Sequence, residues 1–108
     1  MGILSEIAFF TDNVDSMAIF YERFLGAEPV ARSEGMAIFM MNETKLFIHQ
    51  TYEIKEGELP PENHMAYTVG DVDAAVSELE SRGLSLEIPP EDYYWGRSAY
   101  LRDPDGHL

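Results

Sequence analysis

The sequence contains no cysteine and few basic residues, and each shortage excludes a class of protein. Without cysteine, the chain cannot form a disulfide framework, a thiolate nucleophile, a cysteine-ligated zinc finger or an iron–sulfur cluster. Only 7 Lys and Arg stand against 20 Asp and Glu, which gives a net charge of −13. Such a surface repels nucleic acids and anionic membranes, whereas a cationic or neutral ligand or a metal ion remains compatible with it.

The sequence also has no apolar run close to the roughly 20 residues that a membrane-spanning helix needs. Residues 1–10 lack the basic start and long apolar stretch of a signal peptide, so we expect a cytoplasmic protein. Of the 108 residues, 45% are hydrophobic and 12% are aromatic. That composition predicts one folded domain with its own core.

Two segments of the chain share one pattern. Residues 13–18 (NVDSMA) resemble residues 71–76 (DVDAAV), which lie 58 positions later. A glycine then follows in each segment, Gly26 and Gly83, at nearly the same offset. The shared order of these matches predicts an internal repeat.

The apolar spacing within each segment predicts a helix, over residues 14–25 and 72–82. The predicted core-facing side chains are Val14, Met17, Tyr21, Phe24 and Leu25 in the first helix, and Val72, Ala75, Val76 and Leu79 in the second. The expected N-caps are Asn13 and Asp71, and the glycines suit the left-handed stops.

Extended apolar segments surround each helix and predict strands over residues 3–10, 36–41 and 45–50, then over 64–69, 97–102 and the chain end. Residues 53–61, rich in glutamate and proline, predict an acidic linker. The sequence therefore predicts a single α+β domain made of two βαβββ modules, about 1–52 and 62–108.

Three sets of residues form a recognisable pattern: 13–15 with 20–26 (FYERFLG), 64–69 (HMAYTV), and 95–97 (WGR) with 103–108 (DPDGHL). This pattern resembles the vicinal oxygen chelate superfamily, which includes glyoxalase I, extradiol dioxygenases, fosfomycin-resistance enzymes and bleomycin-resistance proteins. The resemblance implies that the two modules form a partly closed, cleft-bearing barrel. It does not imply one activity, because unrelated chemistries share this fold.

The resemblance also implies metal ligands on the first and last strand of each module. Glu6 and His64 occupy equivalent positions on the two first strands. Strand alternation places Glu6 opposite Ile7 and Phe9, and His64 opposite a larger set made of Met65, Tyr67 and Val69. We expect the larger sets to pack under the helices, so that Glu6 and His64 face the cleft.

There the two side chains would hold a divalent ion such as Fe, Mn, Ni or Zn. In the alternative, they only hydrogen-bond to each other or meet solvent. The third ligand position is expected at Ile48, which cannot bind a metal, with the adjacent His49 on the opposite face of its strand. The fourth would lie two residues past Leu108.

Three consecutive aromatic residues, Tyr93, Tyr94 and Trp95, precede a predicted strand. They would offer ring faces to an apolar or cationic ligand, and Arg97 would bind a carboxylate. The alternative is that they complete the core or a contact between subunits.

Two functions from different classes follow. One is a metal-dependent lyase or dioxygenase that chelates vicinal oxygens of a small substrate. The other is a metal-free binding protein of the bleomycin-resistance type, which sequesters a drug or metabolite. Open sheet edges and a small core also predict a homodimer, with Ile3, Leu4 and the Tyr93–Trp95 segment at its interface.

Overall fold

The structure, a computed structural model, describes residues 2–55 and 59–108. Residues 56–58 of the expected linker lie outside the described residues. The elements in chain order are β1 (Ile3–Thr11), α1 (Val14–Leu25), β2 (Ala31–Arg32), β3 (Met36–Met41), β4 (Thr44–Gln50), β5 (His64–Thr68), α2 (Val72–Ser81), β6 (Ile88–Tyr93) and β7 (Gly96–Tyr100). This order confirms the α+β class, while the two-module barrel stays a prediction.

The strands form a five-stranded sheet in the order β2-β3-β4-β1-β5 and a separate β6–β7 hairpin. The chain divides into two compact units, Leu4–Ala66 and the C-terminal segment Tyr67–Leu108 with the first residues of the chain. Within the described residues, neither helix is long and apolar enough to cross a bilayer.

The core of the Leu4–Ala66 unit lies between α1 and the sheet, where α1 packs on β3 and β4. Its buried residues are Val14, Ala18, Ala37, Phe39, Leu46 and Ile48, with Ile7, Phe9, Met17, Tyr21, Leu25 and Met41 packed around them. Phe9 stacks on Tyr21 with ring centroids 6.2 Å apart. The prediction that Ile7 and Phe9 pack under the first helix is therefore confirmed.

Both predicted helices form, and α1 ends at Gly26 in the left-handed conformation. One expected core residue is wrong, because Phe24 is 73% exposed and Ala18 takes its place in the core. The expected cap at Asn13 is also wrong, since its side chain makes no capping bond. Asp71, by contrast, caps α2 by accepting a hydrogen bond from the backbone N–H of Ala74.

In the other unit, α2 packs on the β6–β7 hairpin and buries Val76. The sequence did not predict β6, whose Pro89 and Pro90 are unusual in a strand. The structure accommodates them through a register shift between Ile88 and Glu91. Met65 and Tyr67 were expected to pack under a helix, but each is 55% exposed, so that prediction is wrong.

The chain end does not form the predicted strand, because residues 103–107 close a tight turn instead. The Asp103 carboxylate accepts hydrogen bonds from the backbone N–H groups of Asp105 and His107. It also lies 2.8 Å from Nδ1 of the His107 ring. Hydrogen bonding to His107, first through its backbone and then through its ring, lowers the pKa of Asp103. Local side-chain bonds thus compete successfully with strand pairing here.

Candidate functional site

The side chains of Glu6, Phe10, Lys45, His49 and His64 form a surface that we call the site face. β1 and β4 are parallel neighbours, and their register aligns Glu6 with Lys45 and Phe10 with His49. Aligned residues of neighbouring strands point to the same side of a sheet. The site face is therefore on the opposite side of β1 and β4 from the core that α1 covers.

Glu6 and His64 meet on this face, as the sequence predicts. Nε2 of His64 lies 3.6 Å from Oε2 of Glu6, and the two side chains are 21% and 25% exposed. Neighbouring polar contacts hold the strand ends in place. The hydroxyl of Ser5 donates to the carbonyl oxygen of Ala66, and the N–H of Phe10 donates to the side-chain oxygen of Asn63.

The surroundings of His64 determine its protonation. Nδ1 lies 2.9 Å from the backbone carbonyl oxygen of Glu62, which only accepts, so Nδ1 carries a proton. Nε2 faces a carboxylate, which also only accepts when ionised. Bonding to Glu6, opposed by burial and aided by the Glu62 carbonyl, raises the pKa of His64. The contact thus favours an imidazolium beside a carboxylate.

Lys45 approaches the same carboxylate from the other side. Its Nζ atom lies 3.9 Å from Oε1 of Glu6, and its side chain is 44% exposed. Bonding to His64, and then the positive charges of Lys45 and His64, lower the pKa of Glu6 despite partial burial. A pair of this kind can hold or move a proton on a bound molecule.

The structure corrects the expected placement of Ile48 and His49. Ile48 is fully buried in the core on the α1 side. Its register partner is Phe9, which also faces that core, and not Glu6. His49 belongs to the site face, where its ring centroid lies 5.7 Å from that of Phe10. Ile48 therefore points to the core and His49 to the site face, which is the reverse of the expected placement. Ile48 is not a site position.

Aromatic rings extend the site face beyond the charged residues. The Phe10 ring lies 6.2 Å from the His64 ring and 6.0 Å from the ring of Tyr52. The His49 ring packs against Tyr52 at 6.3 Å, and the Tyr52 hydroxyl donates to the carbonyl oxygen of Leu59. The carboxylate–imidazole pair thus lies beside a partly exposed aromatic surface.

The sequence analysis missed Lys45, although a signal for it was present. In the segment 44–50 the aliphatic residues Leu46 and Ile48 alternate with Lys45, Phe47 and His49. Period-two alternation places the two aliphatic residues on the buried side and the other three on the site face. The repeat offset, by contrast, points to Ile48 as the third ligand position, on the other side of the strand.

The predicted aromatic residues of the C-terminal unit lie at the tip of the β6–β7 hairpin. Tyr93 and Trp95 stack with centroids 4.5 Å apart and planes 3° from parallel. The Trp95 indole N–H donates to the hydroxyl of Ser98, while Tyr94 is 96% exposed. Burial, and then the nearby Glu91 carboxylate, raise the pKa of Tyr93.

Arg97 is held by carboxylates of its own unit. Its Nε and Nη2 atoms donate to the two oxygens of Asp73 at 2.8 and 3.0 Å, and Nη1 donates to Asp92 at 3.1 Å. These bonds raise the pKa of Arg97 further and lower that of Asp73. The guanidinium therefore joins α2 to the hairpin, and binding of a ligand carboxylate by Arg97 stays a prediction.

Among residues 2–55 and 59–108, no three His, Asp or Glu side chains are arranged to hold one metal ion. Glu6 and His64 supply two donors. Protein sites for catalytic zinc normally supply three donors and leave one position open.

Relatives of known sequence and structure match almost the whole chain. The metallothiol transferase FosB of Shouchella clausii is 26% identical over 114 aligned residues, which cover 97% of this chain and 75% of that protein. A Legionella pneumophila structure described as an NAD-dependent benzaldehyde dehydrogenase superposes with a TM-score of 0.69 at 23% identity, covering 94% of this chain and 91% of the other.

Streptomyces coelicolor methylmalonyl-CoA epimerase superposes with a TM-score of 0.58 at 16% identity, covering 94% of this chain and 88% of the epimerase. At these identities the two structures show a shared fold alone. The family model of the Glyoxalase/Bleomycin resistance protein/Dioxygenase superfamily matches residues 3–108. The chain therefore belongs to the Glyoxalase/Bleomycin resistance protein/Dioxygenase superfamily.

Proposed function

We propose that this protein binds a small organic molecule on the site face, with no need for a resident metal ion. The observation that carries the proposal is the position of the Glu6–His64 pair beside the rings of Phe10, His49 and Tyr52. Ligand sites combine apolar or aromatic walls with a few converging polar groups that fix orientation. The site face supplies both within one compact unit.

The polar part of the site selects the ligand class. Lys45 flanks the Glu6 carboxylate, and its ammonium has three N–H groups, more than the contact with Glu6 uses. An oxygen acceptor, such as a carbonyl or a carboxylate, pairs with such donors. The aromatic rings favour a flat apolar body next to that oxygen. We therefore propose an aromatic or unsaturated carbonyl compound as the ligand.

The metal-dependent alternative requires a donor set that this face does not match. A divalent ion held by Glu6 and His64 would need the lone pair of Nε2, whereas the carboxylate contact favours a proton there. The ion would also have to approach a carboxylate that already faces the Lys45 ammonium. For these two reasons the proposed function involves no reaction step through a metal ion.

We also propose that the aromatic residues at the tip of the β6–β7 hairpin can contact a small molecule. Tyr93, Tyr94 and Trp95 offer ring faces, and Tyr94 is 96% exposed although its ring meets that of Trp95 in a T-shaped contact at 4.7 Å. We also propose a homodimer, which is supported by exposed apolar side chains such as Ile3, at 54% exposure. Covering such side chains is a common reason for two chains to pair.

Titration of the ¹⁵N-labelled protein with a set of small aromatic carbonyl compounds, followed by NMR, tests the binding proposal. We expect the largest shift changes at the backbone amides of Phe10, His49 and His64. Phe10→Ala should weaken binding about tenfold, the loss typical of one aromatic contact.

The matched control is Phe20→Ala, which removes an equally large ring from the exposed side of α1, where Phe20 is 58% exposed. It should leave the affinity unchanged. Shift changes centred on Phe20 and Phe24, or an equal loss in both variants, would place the ligand elsewhere and overturn the proposal.

A further inference from the structure

The Glu6 carboxylate is bracketed by two nitrogen groups from neighbouring strands. Lys45 on β4 is its direct register partner, with Nζ 3.9 Å from Oε1. His64 on β5 faces the other oxygen, with Nε2 3.6 Å from Oε2. Each carboxylate oxygen therefore already has a positively charged or protonated partner of its own.

This arrangement satisfies the charge of a half-buried carboxylate without an ion from solution. An ionised carboxylate in partly buried surroundings requires a partner charge or several hydrogen bonds. Lys45 supplies a positive charge, and its ammonium carries three protons and no lone pair. A side chain of this kind cannot ligate a metal, and it repels a divalent cation placed at the same carboxylate.

We propose that Lys45 is the residue that determines the ion preference of the site face, because its ammonium takes the place of a divalent cation beside Glu6. The inference rests on the proposed function and adds the reason why that function needs no metal. A carboxylate at position 45 would point to the same side of the sheet as Glu6. Together with His64 it would complete the three-donor set that the described residues lack.

The test compares metal binding by the full chain and its Lys45→Glu variant, using Zn²⁺, Mn²⁺ and Ni²⁺ alone. After loading, both proteins are dialysed against a weak chelator, and retained metal is counted by elemental analysis. We expect less than one tenth of an equivalent in the wild type and close to one equivalent in Lys45→Glu. The further change His64→Ala in that variant should remove the retained metal.

Two controls separate charge from ligation. Lys45→Gln removes the ammonium without adding a carboxylate, so it should retain more metal than the wild type but far less than Lys45→Glu. Equal retention by Lys45→Gln and the wild type would show that the ammonium does not exclude the cation. Arg23→Glu makes the same change of two charges on α1, and it should behave like the wild type. If the more acidic protein simply collects cations, Arg23→Glu and Lys45→Glu will retain equal amounts, and the proposal fails.

If Lys45→Glu does not fold, metal retention by the wild type tests the proposal by itself. One equivalent of tightly held metal in the wild type, lost on Glu6→Ala, would overturn the role of Lys45. Ligand binding in the NMR titration would stand unaffected by that result. Conversely, metal exclusion by Lys45 with no ligand bound at the site face would refute the proposed function and leave this inference intact.

Discussion

Glu6 and His64, 58 positions apart in the chain, meet across two neighbouring strands with 3.6 Å between Oε2 and Nε2. The contact shifts both groups toward their charged forms, since it lowers the pKa of Glu6 and raises that of His64. Each shift means that the folded protein binds protons differently from the unfolded chain. The stability of the protein must therefore depend on pH through this pair.

The contribution of the pair to stability is expected to be complete between about pH 4.5 and 6.5, the ordinary values of the two groups. Below that window it is lost as the pH falls through the lowered pKa of Glu6. Above the window it is lost as the pH rises through the raised pKa of His64. Thermal unfolding from pH 3 to pH 9 (about 0.1 M salt) measures this window.

In Glu6→Gln the His64 pKa should fall, and the advantage of the wild type near pH 6 should disappear. Glu28→Gln removes an exposed carboxylate elsewhere in the same unit and serves as the matched control. Parallel pH profiles for the wild type and Glu6→Gln would show that the contact has no energetic weight.

The opposite placements of Ile48 and His49 predict opposite responses to truncation. Ile48 is fully buried, so Ile48→Ala should lower the free energy of unfolding by about 2–5 kcal/mol through lost contacts and a cavity. His49→Ala removes a partly exposed ring from the site face and should cost about 1 kcal/mol or less. Urea unfolding of the two variants measures the difference. Similar losses at both positions would contradict the assigned faces of β4.

The hairpin tip offers a second contrast between neighbours. Trp95 stacks on Tyr93 and donates to Ser98, so Trp95→Ala should lower the free energy of unfolding by about 1–2 kcal/mol. Tyr94, at 96% exposure, should change it by no more than about 0.5 kcal/mol when replaced by alanine. The near-ultraviolet circular dichroism of the stacked pair should be lost only in Trp95→Ala. A larger loss of stability in Tyr94→Ala would mean that this ring is covered in solution.

The proposed homodimer predicts a mass of twice 12.3 kDa by sedimentation equilibrium at micromolar concentration. If the first strand contributes to the interface, Ile3→Lys should shift the equilibrium toward the monomer without unfolding the protein. Ile54→Lys changes another residue that is 61% exposed and serves as its control. A wild-type monomer at all accessible concentrations would end the proposal.

The sequence predicted the helices well, because helical spacing and a glycine at the helix end are local signals. Val14–Leu25 has its predicted bounds, and the Glu6–His64 contact followed from the repeat. Ile48 was assigned to the wrong face because its position was inferred from the repeat offset, although the local alternation of residues 44–50 places it on the buried side. Strand β6 was missed because its two prolines argue against a strand. Its partner β7 and the bulge supply the compensation, and neither is visible locally.

The two-residue connection between β3 and β4 limits the changes in chain length that the site face can tolerate. Met41 pairs with Thr44 across Asn42 and Glu43, and Asn42 adopts a positive φ of 58°. An insertion or deletion here that shifts the register of β4 by one residue would exchange its two sides, placing Ile48 on the site face and Lys45 beneath α1. Under the proposal for Lys45, a point substitution at position 45 changes the ion preference of the site face and keeps the two sides of β4 as they are. The chemistry of the site face can therefore be altered by substitution while this turn keeps its length, whereas a change in the length of the turn would rebuild the site and the core together.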